Sequence, residues 1–361
     1  MMGTDKLFIR FEKEDTNVCK AIAVLLMLWH HLFYLHPEIR LIGDIGEGIP
    51  LHLASFGKIC VTIFTVLSGY GIMCGELRCL SKSWIEFQRN RTFKLYKKYL
   101  FVVIITLVIF WFFRETWAAS VGTGLTMCYR IVLSLTGLQY IFLNMGINIV
   151  WWYMSMIFVC YLSFPILKPV VLKYPIWVVL GTIAVIPLAY VNIPRFGGLQ
   201  ILSWASGFYI GVLLADQNRL NNFVNKIVLN SLACKLISVL MMLLCIFRVY
   251  YVSYAVYTRY IDVIITILLM LRIAASDKKD GVIRRGMEYI GNISMDLYFI
   301  HMIFVEYITK NFTYSLTDSL QMFFVVLIGS IAAHYLLDII RYFMFKIITV
   351  SKFERVIDGL D

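Results

Sequence analysis

The chain has 361 residues, 60% of them hydrophobic and only 15% charged, with a formal net charge of +11 and a mean hydropathy of +0.79. Apolar runs of about 20 residues recur along it, which excludes an ordinary soluble domain and requires a polytopic helical membrane protein. Its basic residues gather in alternate loops, so they orient helices against anionic headgroups; the bilayer is a partner and nucleic acid is not.

Residues 1–17 are heavily charged and no small-residue cleavage site follows them. They are therefore read as a cytoplasmic lead, not a signal peptide. Val18 to Leu35, VCKAIAVLLMLWHHLFYL, is apolar enough to cross a bilayer yet carries Lys20, His30 and His31. Ionisable groups inside hydrocarbon are costly and mark function. The step from Lys20 to His31 is about three helical turns, roughly 16 Å, so the two share one ridge, while His30 is rotated off it by about 100°.

Nine further spans follow, giving ten in all: 18–35, 55–76, 98–113, 149–167, 175–191, 199–215, 231–248, 259–275, 289–309 and 319–345. With the N-terminus inside, Lys and Arg favour the inner segments by about three to one, and both termini are cytoplasmic. The densest inner run is Arg89, Arg91, Lys94, Lys97 and Lys98. The expectation is an all-α, multi-pass protein of the plasma membrane. It forms a single membrane domain over 1–361, with 346–361 as a cytoplasmic tail.

The first outer loop, 36–54, is turn-rich and acidic through Glu38, Asp44 and Glu47. Within 114–148, Ile131 to Leu143 is apolar but short, and Thr136-Gly137 interrupts it. Counting it as a span inverts every later loop, so it is read as interfacial or re-entrant. The eight cysteines show no ligand-like spacing and read as small apolar residues in helices. No internal repeat is visible.

Five segments carry a resemblance. Lys20 is followed after ten positions by His31; FGKICVTIFTVLSGY runs from Phe56 to Tyr70; Arg91 opens RTFKLYKKY; Trp152-Tyr-Met-Ser155 leads to Tyr161 and Pro165; and SMDLYFIH runs from Ser294 to His301. In this order they resemble the acyltransferase-3 family of integral membrane O-acyltransferases. The chain departs from the family pattern at Lys20, where Arg is commoner, at Lys94 for a second Arg, and at Lys97 for a proline. An appended esterase-like domain is not expected.

The resemblance implies transfer of an acyl group, most often acetyl from acetyl-CoA, to a hydroxyl of a cell-surface polysaccharide or glycolipid precursor in the cell envelope, without a metal. The residues agree. An alcohol is a poor nucleophile at neutral pH, and a neutral imidazole can take its proton. His31 is expected to be that base, with an acyl-histidine relay as the alternative within the same site. A purely structural His31 would instead bridge helices. His30 orients His31 or packs, and Lys20 binds CoA phosphate, forms an ion pair or snorkels. Arg89, Arg91 and Lys94 are the donor dock on the inner face, beyond their part in the charge bias.

On the acceptor side stand Trp152, Tyr153, Ser155 and His301. The aromatics also fit an interfacial belt. Ser68 lies in no nucleophile elbow, and Ser68, Gly69 and Gly71 read as a close-approach face. His334 and Asp338, one turn apart, read as an interhelical lock. A polysaccharide-precursor transporter or flippase is the rival, but it calls for repeats and broken helices in matching halves. A non-catalytic scaffold is a third reading. A homo-oligomer is compatible with the sequence.

Overall fold

The computed structural model describes residues 10–36, 48–78, 83–112, 122–142, 146–187, 198–228, 231–250, 258–276 and 281–357. The acidic stretch with Glu38, Asp44 and Glu47, the first part of the charged lead and the end of the tail lie outside them. Among the described residues every regular element is helical. The helices are α1 (Lys13–Tyr34), α2 (Ile49–Gly57), α3 (Ile59–Arg78), α4 (Trp84–Asn90), α5 (Thr92–Phe112), α6 (Gly124–Thr136), α7 (Gln139–Phe142) and α8 (Trp152–Lys173). They continue as α9 (Pro175–Val185), α10 (Gly198–Ala215), α11 (Arg219–Val228), α12 (Ser231–Tyr250), α13 (Thr258–Ala274), α14 (Val282–Ile303), α15 (Lys310–Thr313) and α16 (Ser319–Ile357).

Each expected span is largely helical over its described part, the second interrupted at Lys58. Among the described residues six stretches are long and apolar enough to cross a membrane: 13–34, 49–78, 84–112, 149–173, 232–250 and 319–344. The protein is thus an all-α, multi-pass membrane protein. Helices such as α12 turn Leu236, Leu240, Leu243 and Phe247 outward, as a lipid-facing surface requires.

Local chemistry sets the ends. Glu12 and Asp15 form a reciprocal capping box at the start of α1, satisfying backbone N–H groups that the first turn leaves without partners. Gly48 adopts φ +89° and Pro50 opens α2, so the expected second span begins earlier and breaks at Lys58 before α3 resumes it. The interruption expected at Thr136-Gly137 is present: Gly137 adopts φ +74° and ends α6.

The bundle is built on close approaches. Helix α1 packs along α14, and α3 along α10. A Cβ at Gly291 would stand 1.9 Å from the Asn17 carbonyl oxygen, and one at Gly69 would stand 1.8 Å from that of Phe208. Only hydrogen fits at either place, and small residues at helix crossings are what lets membrane helices associate. Gly71, expected on the same face as Gly69, instead looks into open space. The reason is rotational: two residues turn a helix by about 200°.

Polar clamps fix the register of α1 and α14. Asn17 Nδ2 donates to Asn292 Oδ1 at 2.8 Å. Arg284 reaches the fully buried Asp15 at 2.7 Å and Glu288 at 2.8 Å. Farther along, the fork of Arg341 grips both oxygens of Asp296 at 2.7 and 2.8 Å. His334 Nδ1 meets the same carboxylate at 2.8 Å. The interhelical lock read from His334 therefore closes on Asp296 of α14, with Asp338 of its own helix a secondary partner at 3.5 Å.

The α3–α10 contact makes a clean test. Gly69→Ala forces the two backbones apart, a cost of about 1–3 kcal/mol for overpacking, and should lower the melting temperature in detergent by several degrees. Gly71→Ala, whose new methyl meets nothing within 4 Å, should leave it unchanged. Equal melting temperatures for the two variants would refute this account of the crossing.

Candidate active site

A cavity of about 620 Å³ opens inside the bundle, with walls from α1, α3, α5, α8, α10, α13 and α14. Lys20, His30 and His31 all line it. Lys20 and His31, read as sharing one ridge, thus open on the same cavity. His30 reaches the cavity too, from the flank.

For neutral rings, the hydrogen bonds select the tautomer of each imidazole. A carbonyl oxygen can only accept, so His301 Nδ1 donates to Leu297 O at 3.0 Å. His301 Nε2 must then accept, and it does so from His31 Nδ1–H at 2.8 Å. The two rings lie nearly stacked, 4.9 Å between centroids. This leaves the lone pair on His31 Nε2, for which no hydrogen-bond partner stands among the described residues. By the same logic His30 Nδ1 donates to Ala54 O at 2.6 Å, and its ring stacks on Tyr34 at 4.9 Å. With each ring neutral, this pattern leaves the basic nitrogen of His31 at the cavity wall.

The other expected residues are sorted by the fold. Trp152 and Tyr153 line the cavity, and Tyr153 OH lies 3.5 Å from Ser68 Oγ. His301 is fully buried behind His31 and acts on the cavity through it. Ser155 is placed elsewhere: its hydroxyl donates to Gly137 O at 2.7 Å and accepts from Tyr140 N at 3.3 Å. That bond pair pins the broken α6–α7 corner to α8 and sets Tyr140 in the cavity wall.

Arg89, Arg91 and Lys94 do not line the cavity. Arg89 and Lys94 are exposed, and the Arg91 guanidinium lies where a Gly75 side chain would have been. Arg91 remains near enough to Tyr161, a lining residue, to act on it electrostatically. The basic residues that do reach the cavity from this region are Lys20 and, one turn beyond Lys94, Lys98. Lys98 is exposed, so the cavity opens beside it.

Sequence reasoning missed the cations at the other end. Lys58 and Arg259 both line the cavity. Lys58 follows Gly57, which packs on Leu26 and His30, so it stands level with the histidines. Each stands near the start of an expected span, 55–76 or 259–275, where sequence alone gives it no role. Only the fold shows that the loop ends dip into the bundle. Asp296, His334 and Asp338 offer three ligand atoms within 4.8 Å of one another, but Arg341 already occupies both Asp296 oxygens, which makes that cluster an ion-pair clamp.

Comparison with curated proteins and with solved structures finds no match. A family model described as an acyltransferase domain matches residues 14–339, from the capped start of α1 to beyond the His334 clamp of α16. That match takes in both histidines, Lys20 and every wall of the cavity, and by it the chain belongs to the acyltransferase-3 family.

Proposed function

We propose that this acyltransferase moves an acyl group, acetyl foremost, from acyl-CoA to a hydroxyl of a surface polysaccharide or glycolipid precursor, with His31 as general base. The observation that carries this reading is the His31 Nε2 lone pair, left over by the His31–His301–Leu297 chain at the wall of a cavity that also contains Lys20. The donor is read as entering from the cytoplasm, where Lys20 and Lys98 would hold its phosphates and Arg91 would add to the local charge. Because Lys20 lies about 16 Å below His31 on one helix, the cavity separates the charged part of such a donor from its reacting end. That fits a molecule with phosphates at one end and a thioester at the other.

Acyl-CoA, when bound, supplies the activated carbonyl carbon. His31 Nε2 takes the proton of the acceptor hydroxyl as that oxygen bonds to the carbon, and gives it back to the sulfur as the carbon–sulfur bond breaks. While His31 is cationic, its Nδ1–H keeps donating to His301, so the ring holds its orientation through both transfers. The reaction is read as taking place in the plasma membrane, with the acceptor arriving from the outer or lipid side.

Two outcomes are expected. His31→Gln should remove the O-acetyl NMR signals of the surface glycan at normal protein level, since a positioned base contributes about 10²–10⁴-fold. His301→Leu should lower kcat about ten- to a hundredfold by leaving a buried donor unsatisfied, with KM for acetyl-CoA unchanged. His301→Gln, which keeps an acceptor, should lose less. A His31→Gln strain with full O-acetylation would remove His31 from the mechanism.

The donor end is tested separately. Lys20→Met with Lys98→Met should raise KM for acetyl-CoA about tenfold or more, the scale of lost charge-assisted hydrogen bonds. The same double variant should treat S-acetyl-N-acetylcysteamine, which has no phosphate, as the unaltered enzyme does. An equal loss with both donors would place the phosphates elsewhere.

A further inference from the structure

The cavity is cationic at both ends. Lys20 and Lys98 stand at one, and Lys58 with Arg259 at the other, level with His30 and His31. If the donor's phosphates lie at the Lys20 end and its thioester at His31, the second pair of cations faces whatever approaches His31 from the opposite side. That molecule is the acceptor. We propose that the acceptor carries an oxyanion, and that Lys58 and Arg259 bind it while the sugar ring lies on the neighbouring aromatic wall. The proposal rests on the acyltransferase reading of this cavity and adds the substrate class.

The arrangement around Arg259 is that of a built recognition site. Its guanidinium lies over the Trp204 ring, 4.2 Å from the centroid, and is held by a contact with the Ser203 hydroxyl. Trp204 faces Trp152 at 5.8 Å, and Trp152 faces Tyr140 at 5.5 Å. Stacked on a ring, a guanidinium keeps its forked donors in a fixed plane, the geometry that carboxylates and phosphates accept bidentately. Aromatic faces beside it suit the apolar face of a pyranose.

Lys58 enters from the turn between α2 and α3 and is electrostatically coupled to Arg259, Arg248 and Asp262. Behind them Arg248 and Asp262 form an ion pair at 2.9 Å, each 1% exposed. This pair ties α12 to α13 and backs the wall that presents Arg259. Cations lining a cavity within membrane-spanning helices are costly to keep and mark substrate routes. An anionic acceptor would form charge-assisted hydrogen bonds with them, stronger than those a neutral one could make.

Two kinds of sugar carry such an oxyanion: those with a carboxylate, such as uronic acids, and glycosyl phosphates. The purified full-length protein is titrated with methyl glucuronide, glucose 1-phosphate and neutral methyl glucoside, following tryptophan fluorescence, and CoA release from acetyl-CoA is measured with each. At least tenfold tighter binding of one or both anionic sugars is expected. Whichever of the two binds more tightly identifies the source of the charge. Lys58→Gln and Arg259→Gln should reduce that preference to the level of the neutral sugar, while Lys58→Arg and Arg259→Lys, which keep the charge, should retain part of it. Equal binding of all three sugars, or CoA release that is as fast with the neutral one, overturns the proposal. His31→Gln should keep the binding preference and lose CoA release. A wild type that binds the anionic sugars selectively but never releases CoA leaves this site standing and sinks the acyl-transfer reading instead.

Discussion

Two imidazoles buried against each other have four ring nitrogens to satisfy, and in this bundle the pairing of α1 with α14 satisfies three of them. Leu297 O takes the first proton, His301 Nε2 takes the second, and only His31 Nε2 remains at the cavity. In a low-dielectric interior an unmet donor costs about 1–3 kcal/mol, so the chain of bonds selects one tautomer for each ring. The arrangement works by exclusion: among the described residues, no group bonds to the His31 Nε2 that this chain of bonds leaves over.

Everything that keeps α1 and α14 in contact serves this chain. Gly291 lets the backbones meet at Asn17, and Asn17 and Asn292 bond across the crossing. Arg284 closes the near end on Asp15, and the capping box at Glu12 holds that end of α1 in helical form. A shift of one residue along either helix would turn a histidine through about 100° and break the pairing. The clamps are therefore register devices. Buried polar interactions in membrane bundles contribute little net stability, about 0.6 kcal/mol each on average, but a wrong register would leave several of them unsatisfied together.

The wall opposite is made by a different route. Helix α6 stops at Gly137, and the corner is fastened by Tyr99 to Ser134 at 2.6 Å, Tyr96 to Leu135 at 2.7 Å and Ser155 to Gly137 at 2.7 Å. Where the helix breaks, backbone carbonyls lose their helical partners, and these hydroxyls bond to them. The reward is Tyr140, brought beside Trp152 and Trp204. One cavity thus joins two cation pairs, a base at one of its ends, and an aromatic face.

Composition and hydropathy alone determined that the chain is a helical membrane protein, because about 20 apolar residues in succession leave the backbone no other way to satisfy itself in lipid. Helical periodicity put Lys20 and His31 on one face, since that depends only on spacing along a single helix. What belongs to contacts between distant segments was decided by tertiary structure. His301 could be singled out as a buried polar residue, but not as the group that fixes the tautomer of His31 from 270 positions away. Ser155 became a fastener, and Lys98 replaced Lys94 at the cavity, through rotations that spacing from another helix cannot set. Lys58 and Arg259, near the starts of their spans, could not be assigned to the cavity, because the depth to which a helix end sinks depends on what packs against it. A sequence specifies each helix face; which faces meet, and which cation ends beside which base, follows from the packing of the whole bundle.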